Sequence, residues 1–130
     1  MDPTFPIPSP LTEPYWEACR RGELALQRCG GCSRFVHFPE ASCPFCGGTN
    51  LAYERVLGLG RVHTFSVVHR TFLPGFTPPY VVAWIDLDEG VRTFGDLMNI
   101  RPEYVRVGMP VQVCFEELPG FGPVPHWRPS

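Results

Sequence analysis

Cys29-Gly30-Gly31-Cys32 and, after ten intervening residues, Cys43-Pro44-Phe45-Cys46-Gly47 decide how this chain is read. Each C-x-x-C pair can set two thiolates on one small turn. The stretch Ser33–Ser42 is long enough to run out and back as a hairpin, which brings the pairs face to face. Four thiolates suit zinc, a borderline-soft ion that imposes no geometry of its own and closes a tetrahedron. Gly31 and Gly47 sit at or just after the turns, where amides must point at sulfur and φ can be positive. With Cys29, Cys32, Cys43 and Cys46 all ligating, no coordination position stays open, so the expected Zn2+ is structural and not catalytic.

Outward from the knuckles, the texture is that of short strands. The chain has 130 residues, 16 prolines and 13 glycines, which argues against a helical bundle. The N-terminus has neither a basic segment nor an apolar run, and no stretch approaches membrane-spanning length. The expectation is a cytoplasmic protein with no membrane association, in which paired cysteines are ligands and not bridges. Cys19 and Cys114 fall outside the pattern and read as buried small hydrophobes. His37, near the second knuckle, reads as an ordinary ribbon-surface histidine, because four cysteines already fill the ligand set.

Residues 1–11 form an extended proline-rich arm. Residues 12–57 hold a short helix and the zinc ribbon. Thr12 is placed to cap the helix, Pro14 suits its first turn, and Gly22 stops it. Tyr15, Trp16 and Cys19 make one face aromatic, ready to pack on the ribbon or on another protein. Glu23–Arg28, Phe35–Phe38 and Leu51–Val56 are the ribbon strands. Gly58-Leu59-Gly60 reads as a hinge.

Residues 58–130 are strand-rich. Tyr80–Asp88 alternates, with Val81, Ala83, Ile85 and Leu87 on one face. Phe121–Trp127 is interrupted by prolines and must be an edge or lie outside the sheet. About five strands with no room for crossover helices make a small antiparallel barrel, best matched by the OB-fold. The fold class is therefore mainly β: helix, zinc ribbon, then a five-stranded antiparallel OB-fold barrel. The loop Thr71–Pro79 is both greasy and stiff, and its Phe72, Leu73 and Phe76 form a candidate anchor for a partner or an acyl chain.

The chain offers little chemistry of its own. It contains no nucleophile elbow, phosphate loop, dinucleotide fingerprint or H-E-x-x-H motif. Lysine is absent, which removes Schiff-base chemistry. His63 and His69 are roughly 20 Å apart by strand rise, too far to share a proton. Asp86 and Asp88 read as solvated carboxylates at a turn. An OB barrel with exposed aromatics also suits single-stranded nucleic acid. Residues 57–130, however, carry six arginines against seven acids, so the charge that drives such binding is missing.

In this combination the chain resembles the acyl-CoA-associated zinc-ribbon/OB-fold proteins, long catalogued as domain of unknown function thirty-five. The carrying stretches are Pro14–Leu24, Gln27–Cys32, Cys43–Gly47, Gly58–Arg70, Pro79–Ala83 and Val107–Val111. The resemblance implies a rubredoxin-like ribbon in which the four cysteines are the zinc ligands. It also implies a non-catalytic accessory subunit of a thiolase-fold enzyme (thiolase, or retro-aldolase in steroid, fatty or aromatic acid degradation). Such a subunit would stabilise its enzyme in a hetero-oligomer, for example a heterotetramer around an enzyme dimer, and help form the acyl-CoA channel. Tyr15, Trp16, Phe72, Leu73 and Phe76 are then the partner-binding candidates. Arg61, Arg70 and Arg92 are candidates to meet CoA phosphates. The family also supplies partners of hot-dog-fold acyl-CoA hydratases, the second reading; single-strand nucleic-acid binding is the third. Phe94-Gly95-Asp96-Leu97 departs from the family's pattern, which has an Asn near position 95.

Overall fold

The computed structural model describes residues 6–70 and 77–130. Helix α1 spans Glu13–Arg20, and three strands follow: β1 Leu24–Cys29, β2 Phe35–Val36 and β3 Leu51–Val56. They form an antiparallel sheet in the order β2-β1-β3. Five further strands, β4 Leu59–Val68, β5 Tyr80–Leu87, β6 Arg92–Leu97, β7 Pro110–Leu118 and β8 Gly122–Pro129, close a barrel in the order β4-β5-β6-β8-β7. A single 3-10 turn, Pro102–Tyr104, lies between β6 and β7.

Helix α1 begins and ends close to expectation, but not by the expected cap. Thr12 makes no side-chain capping bond. Its hydroxyl instead accepts from the Ser9 amide, while the Ser9 carbonyl accepts from the amides of Thr12 and Glu13. The amides a cap would take need none: Pro14 has no N–H, and the Tyr15 amide donates to the Thr12 carbonyl. At the other end Gly22, at φ +73°, ends the helix in the left-handed region as its position suggested.

The alternating pattern of β5 sorts as read. Val81, Ala83, Ile85 and Leu87 are buried, whereas Trp84 faces out. Leu24, Leu26 and Val56 of the ribbon belong to the same buried cluster as Val62, Ile85, Val111 and Trp127 of the barrel. Ribbon and barrel thus share one core, and the expected hinge between them is packed. The Gly58 carbonyl accepts from the Val113 amide, and the Leu57 amide donates to the Glu89 carboxylate. A side chain at Gly58 would collide with Val113, and one at Gly60 would lie 2.5 Å from the Asp86 carbonyl.

Strand β8 corrects two expectations. It is neither a free edge nor outside the sheet, and it makes the barrel mixed instead of wholly antiparallel. It pairs with β7 without a break from Val111↔Pro129 to Leu118↔Gly122, and parallel to β6 only at Leu97↔Trp127. The prolines explain this. Pro123, Pro125 and Pro129 share a strand parity with Trp127, so their missing N–H groups all fall along one edge. The unbroken β7 ladder means that this edge faces β6. There the backbone connection rests on Trp127, whose carbonyl accepts from the Met98 amide.

Candidate metal centre and neighbouring surfaces

The two C-x-x-C segments form the same turn twice. The Ser33 amide donates to the Cys29 carbonyl, and the Gly47 amide to the Cys43 carbonyl, both at 2.8 Å. The Gly31 amide points at Cys29 Sγ at 3.3 Å, and the Phe45 amide at Cys43 Sγ at 3.4 Å. The Cys29 amide bonds the Arg34 carbonyl, as the Cys43 amide bonds that of Gly48. The left-handed position of each turn is the residue after the second cysteine: Gly47 at φ +76° and Ser33 at φ +66°. Gly31 does not take a positive φ, so the expectation for that glycine belongs to Ser33.

The turns bring the four sulfurs within 4.8 Å of one another. Cys29 and Cys46 sulfurs are 3.6 Å apart, and those of Cys32 and Cys43 are 3.7 Å apart. A tetrahedron with zinc–sulfur bonds of about 2.3 Å has edges of about 3.8 Å, so these two edges already stand at the zinc spacing. The amides of Cys32 and Gly31 aimed at Cys29 bring its thiol down to about 7, toward the thiolate a metal needs. The donor set is closed, and the zinc is structural.

Gln27 supports the site and was invisible in the spacing. It is buried, its Nε2 donates to the Glu40 carbonyl, and its Oε1 accepts from the Glu40 amide. This clamp fixes the connector between the knuckles. His37 is not the surface histidine expected. It stacks on Tyr15 with ring centroids 6.3 Å apart, and burial lowers its pKa to about 4. Cys19 is fully buried, and burial pushes its thiol up to about 11. Cys114 is half-buried, opposite His126 in the β7–β8 ladder.

The aromatic face of α1 turns inward. Tyr15 packs against the shared core, and Trp16 meets Phe121 edge-on at 5.2 Å. Phe72, Leu73 and Phe76 lie outside the described residues. Arg61, Asp86 and Arg92 stand in one row across β4, β5 and β6. Arg92 Nε donates to Asp86 at 2.7 Å, and His63, carried by a bulge in β4, lies 3.1 Å from the same carboxylate. The bond from Arg92 holds the Asp86 carboxyl below its ordinary range. Asp86, with its side chain still 48% exposed, is the solvated carboxylate expected and also the centre of an ion pair. Arg61 donates to the Gly108 carbonyl at 2.9 Å. Arg70 lies just beyond β4, exposed.

Among the described residues no helix is long and apolar enough to cross a membrane. A second titratable pair, His126 and Asp96, joins β8 to β6 at 2.8 Å. Cys114, the cross-strand neighbour of His126, has its thiol raised above the ordinary value, chiefly by burial.

Comparison with known proteins gives a consistent result. Residues 16–52 match a family model described as the rubredoxin-like zinc ribbon domain of ChsH2, and residues 53–116 one described as its C-terminal OB-fold domain. A DUF35 domain-containing scaffold protein of Methanocaldococcus jannaschii is 38% identical over 96 residues, covering 70% of this chain and 66% of that protein. A probable enoyl-CoA hydratase alpha subunit of Thermomonospora curvata is 34% identical over 116 residues; the match covers 89% of this chain but 36% of that protein's length. A chain of the solved Ltp2-ChsH2(DUF35) aldolase superposes with a TM-score of 0.88 at 33% identity, over 96% of this chain and 98% of that one.

Proposed function

This chain belongs to the DUF35 family of zinc-ribbon/OB-fold proteins, and from that membership we propose that it is a non-catalytic accessory subunit of a thiolase-like acyl-CoA enzyme. Its role is to bind and stabilise that enzyme and to help wall the acyl-CoA channel, within a hetero-oligomer. The observation that carries this reading is the near end-to-end superposition on a chain solved in an aldolase assembly. The chemistry agrees with it. The zinc site is closed, and the histidine–carboxylate pairs lie on the barrel wall, His126 and Asp96 at ladder positions and His63 in the β4 bulge opposite Asp86. The nucleophile and general base then come from the partner.

Arg61, Arg70 and Arg92 stay in the proposal as groups facing CoA phosphates. Arg92 would have to share its guanidinium with Asp86 to do so. The aldolase likeness favours a thiolase-like partner; the likeness to a hydratase alpha subunit favours the second reading, a hydratase partner.

Co-expression with thiolase-like acyl-CoA enzymes and with acyl-CoA hydratases of the same organism tests both readings. The expected result is a stable complex with the thiolase-like enzyme and a loss of its activity or solubility when this chain is omitted. Failure to co-purify, with full activity in its absence, overturns the proposal. Recovery of the hydratase instead establishes the second reading.

A further inference from the structure

A chain of aromatic rings crosses the seam between ribbon and barrel. From the buried side it runs Trp16 to Tyr15 at 4.9 Å, then Tyr15 to His37 and His37 to Phe38 at 4.7 Å. It continues to the surface from Phe38 to Trp84 at 6.0 Å and from Trp84 to Phe94 at 5.0 Å. The inner rings are packed, but the last three are not: Phe38 is 55% exposed, Trp84 37% and Phe94 44%. Three adjoining aromatic side chains left in water, drawn from two sub-structures, make a patch and not a scatter of single residues.

Beside the ridge lies a cleft of about 210 Å³, walled by Tyr15, Trp16, His37, Phe38 and Phe94. Its size and charge identify the occupant. Small-molecule sites run to about 300–1,000 Å³, so this cleft is too small for a whole acyl-CoA and suited to one large side chain. No lining residue is charged, since burial keeps His37 neutral at ordinary pH. On the ridge's flank, Asp86 is met by Arg92 and His63. Arg61, in the same row, bonds only the Gly108 carbonyl among the described residues, so the cations lie beside the ridge while the cleft itself offers none to a phosphate, a nucleic acid or an anionic lipid surface. It matches an apolar protein surface that presents an uncharged anchor, the usual centre of a protein–protein contact.

We propose that the Phe38–Trp84–Phe94 ridge and its cleft are the docking surface through which this chain holds its partner enzyme, with one large uncharged side chain of that enzyme seated in the cleft. The inference rests on the accessory-subunit reading and gives it a location. Tyr15 and Trp16 then form the back wall of the contact and do not project into the partner. Because ribbon residues and barrel residues meet at this ridge, the zinc would act on docking by holding Phe38 against Trp84.

The test measures affinity for the organism's thiolase-like acyl-CoA enzyme, using full-length Phe38→Ser and Phe94→Thr variants. Tyr104→Ser, exposed and outside the ring chain, is the control. Both ridge variants should lose about 10-fold or more in affinity with unchanged zinc content and melting temperature, while the control binds normally. Unchanged affinity in both ridge variants overturns the inference and leaves the proposed function standing. Absence of binding by the unsubstituted chain overturns the proposed function, and this inference falls with it. A dimer of this chain alone, abolished by Phe38→Ser, overturns the inference in favour of a second copy as occupant.

Discussion

The indole of Trp127 sits against the α-carbon of Gly95: a β-carbon built on Gly95 would lie 2.7 Å from Cδ1 and 3.0 Å from Nε1. Trp127 is buried and carries the β6–β8 connection, so it has no freedom to move aside. Gly95→Ala should destabilise the protein by about 1–3 kcal/mol, as overpacking does. Urea unfolding measures it, and an unchanged midpoint would mean that the ring is not held there.

Removing a zinc ligand should have a larger effect. Structural zinc sites contribute on the order of 10 kcal/mol to folding. Cys29→Ser or Cys46→Ser should release the metal and unfold the ribbon. Because Leu24, Leu26 and Val56 lie in the barrel's core, the loss should spread to the barrel. Metal analysis and near-ultraviolet circular dichroism follow both events. Full metal occupancy in either variant would mean that the ligand set is wrong.

The twin turns give an opposed pair of substitutions. Gly47 holds φ +76° at no steric cost, whereas Ser33 holds φ +66° with a side chain. Gly47→Ala should destabilise the ribbon by about 1 kcal/mol. Ser33→Gly should not destabilise it at all, since released strain offsets the added freedom of the unfolded chain. Chelator competition reads both, and a clear loss of zinc affinity in Ser33→Gly would refute the equivalence of the turns.

Stability should also depend on the protonation of His126. Its hydrogen bond to Asp96 raises its pKa in the folded protein, partly offset by burial. A raised folded pKa means stabilisation that is complete below the unfolded value of about 6.5 and is lost as pH climbs through the folded value. The pair spans the β6–β8 seam, where backbone pairing is thinnest. Asp96→Asn should therefore flatten the fall in melting temperature on going from acid to mildly alkaline pH. Identical pH profiles for the two proteins would show that the pair contributes nothing.

Much of this molecule is legible locally. The zinc ligands follow from spacing, because two thiolates three residues apart share one turn whatever surrounds them. The inner face of β5 follows from alternation, because a strand turns every second side chain the same way. The existence of β8 was readable too, although its place was not. Prolines argue against a strand's interior, but they do so one edge at a time. Only the closed barrel shows that Pro123, Pro125 and Pro129 all turn the same edge to β6.

By itself, then, the sequence determined the four metal ligands, the succession of strands along the chain and the inner face of β5, since each depends on residues close together in the chain. The tertiary structure alone decided what depends on distance closed in space. It joined ribbon and barrel through one core, set Trp127 on Gly95, and turned Tyr15 and Trp16 inward. It also tied Arg92 to Asp86 and lined up Phe38, Trp84 and Phe94 from three separate strands or turns. No local pattern encodes such neighbours, because they are fixed only when the barrel closes and its register is set.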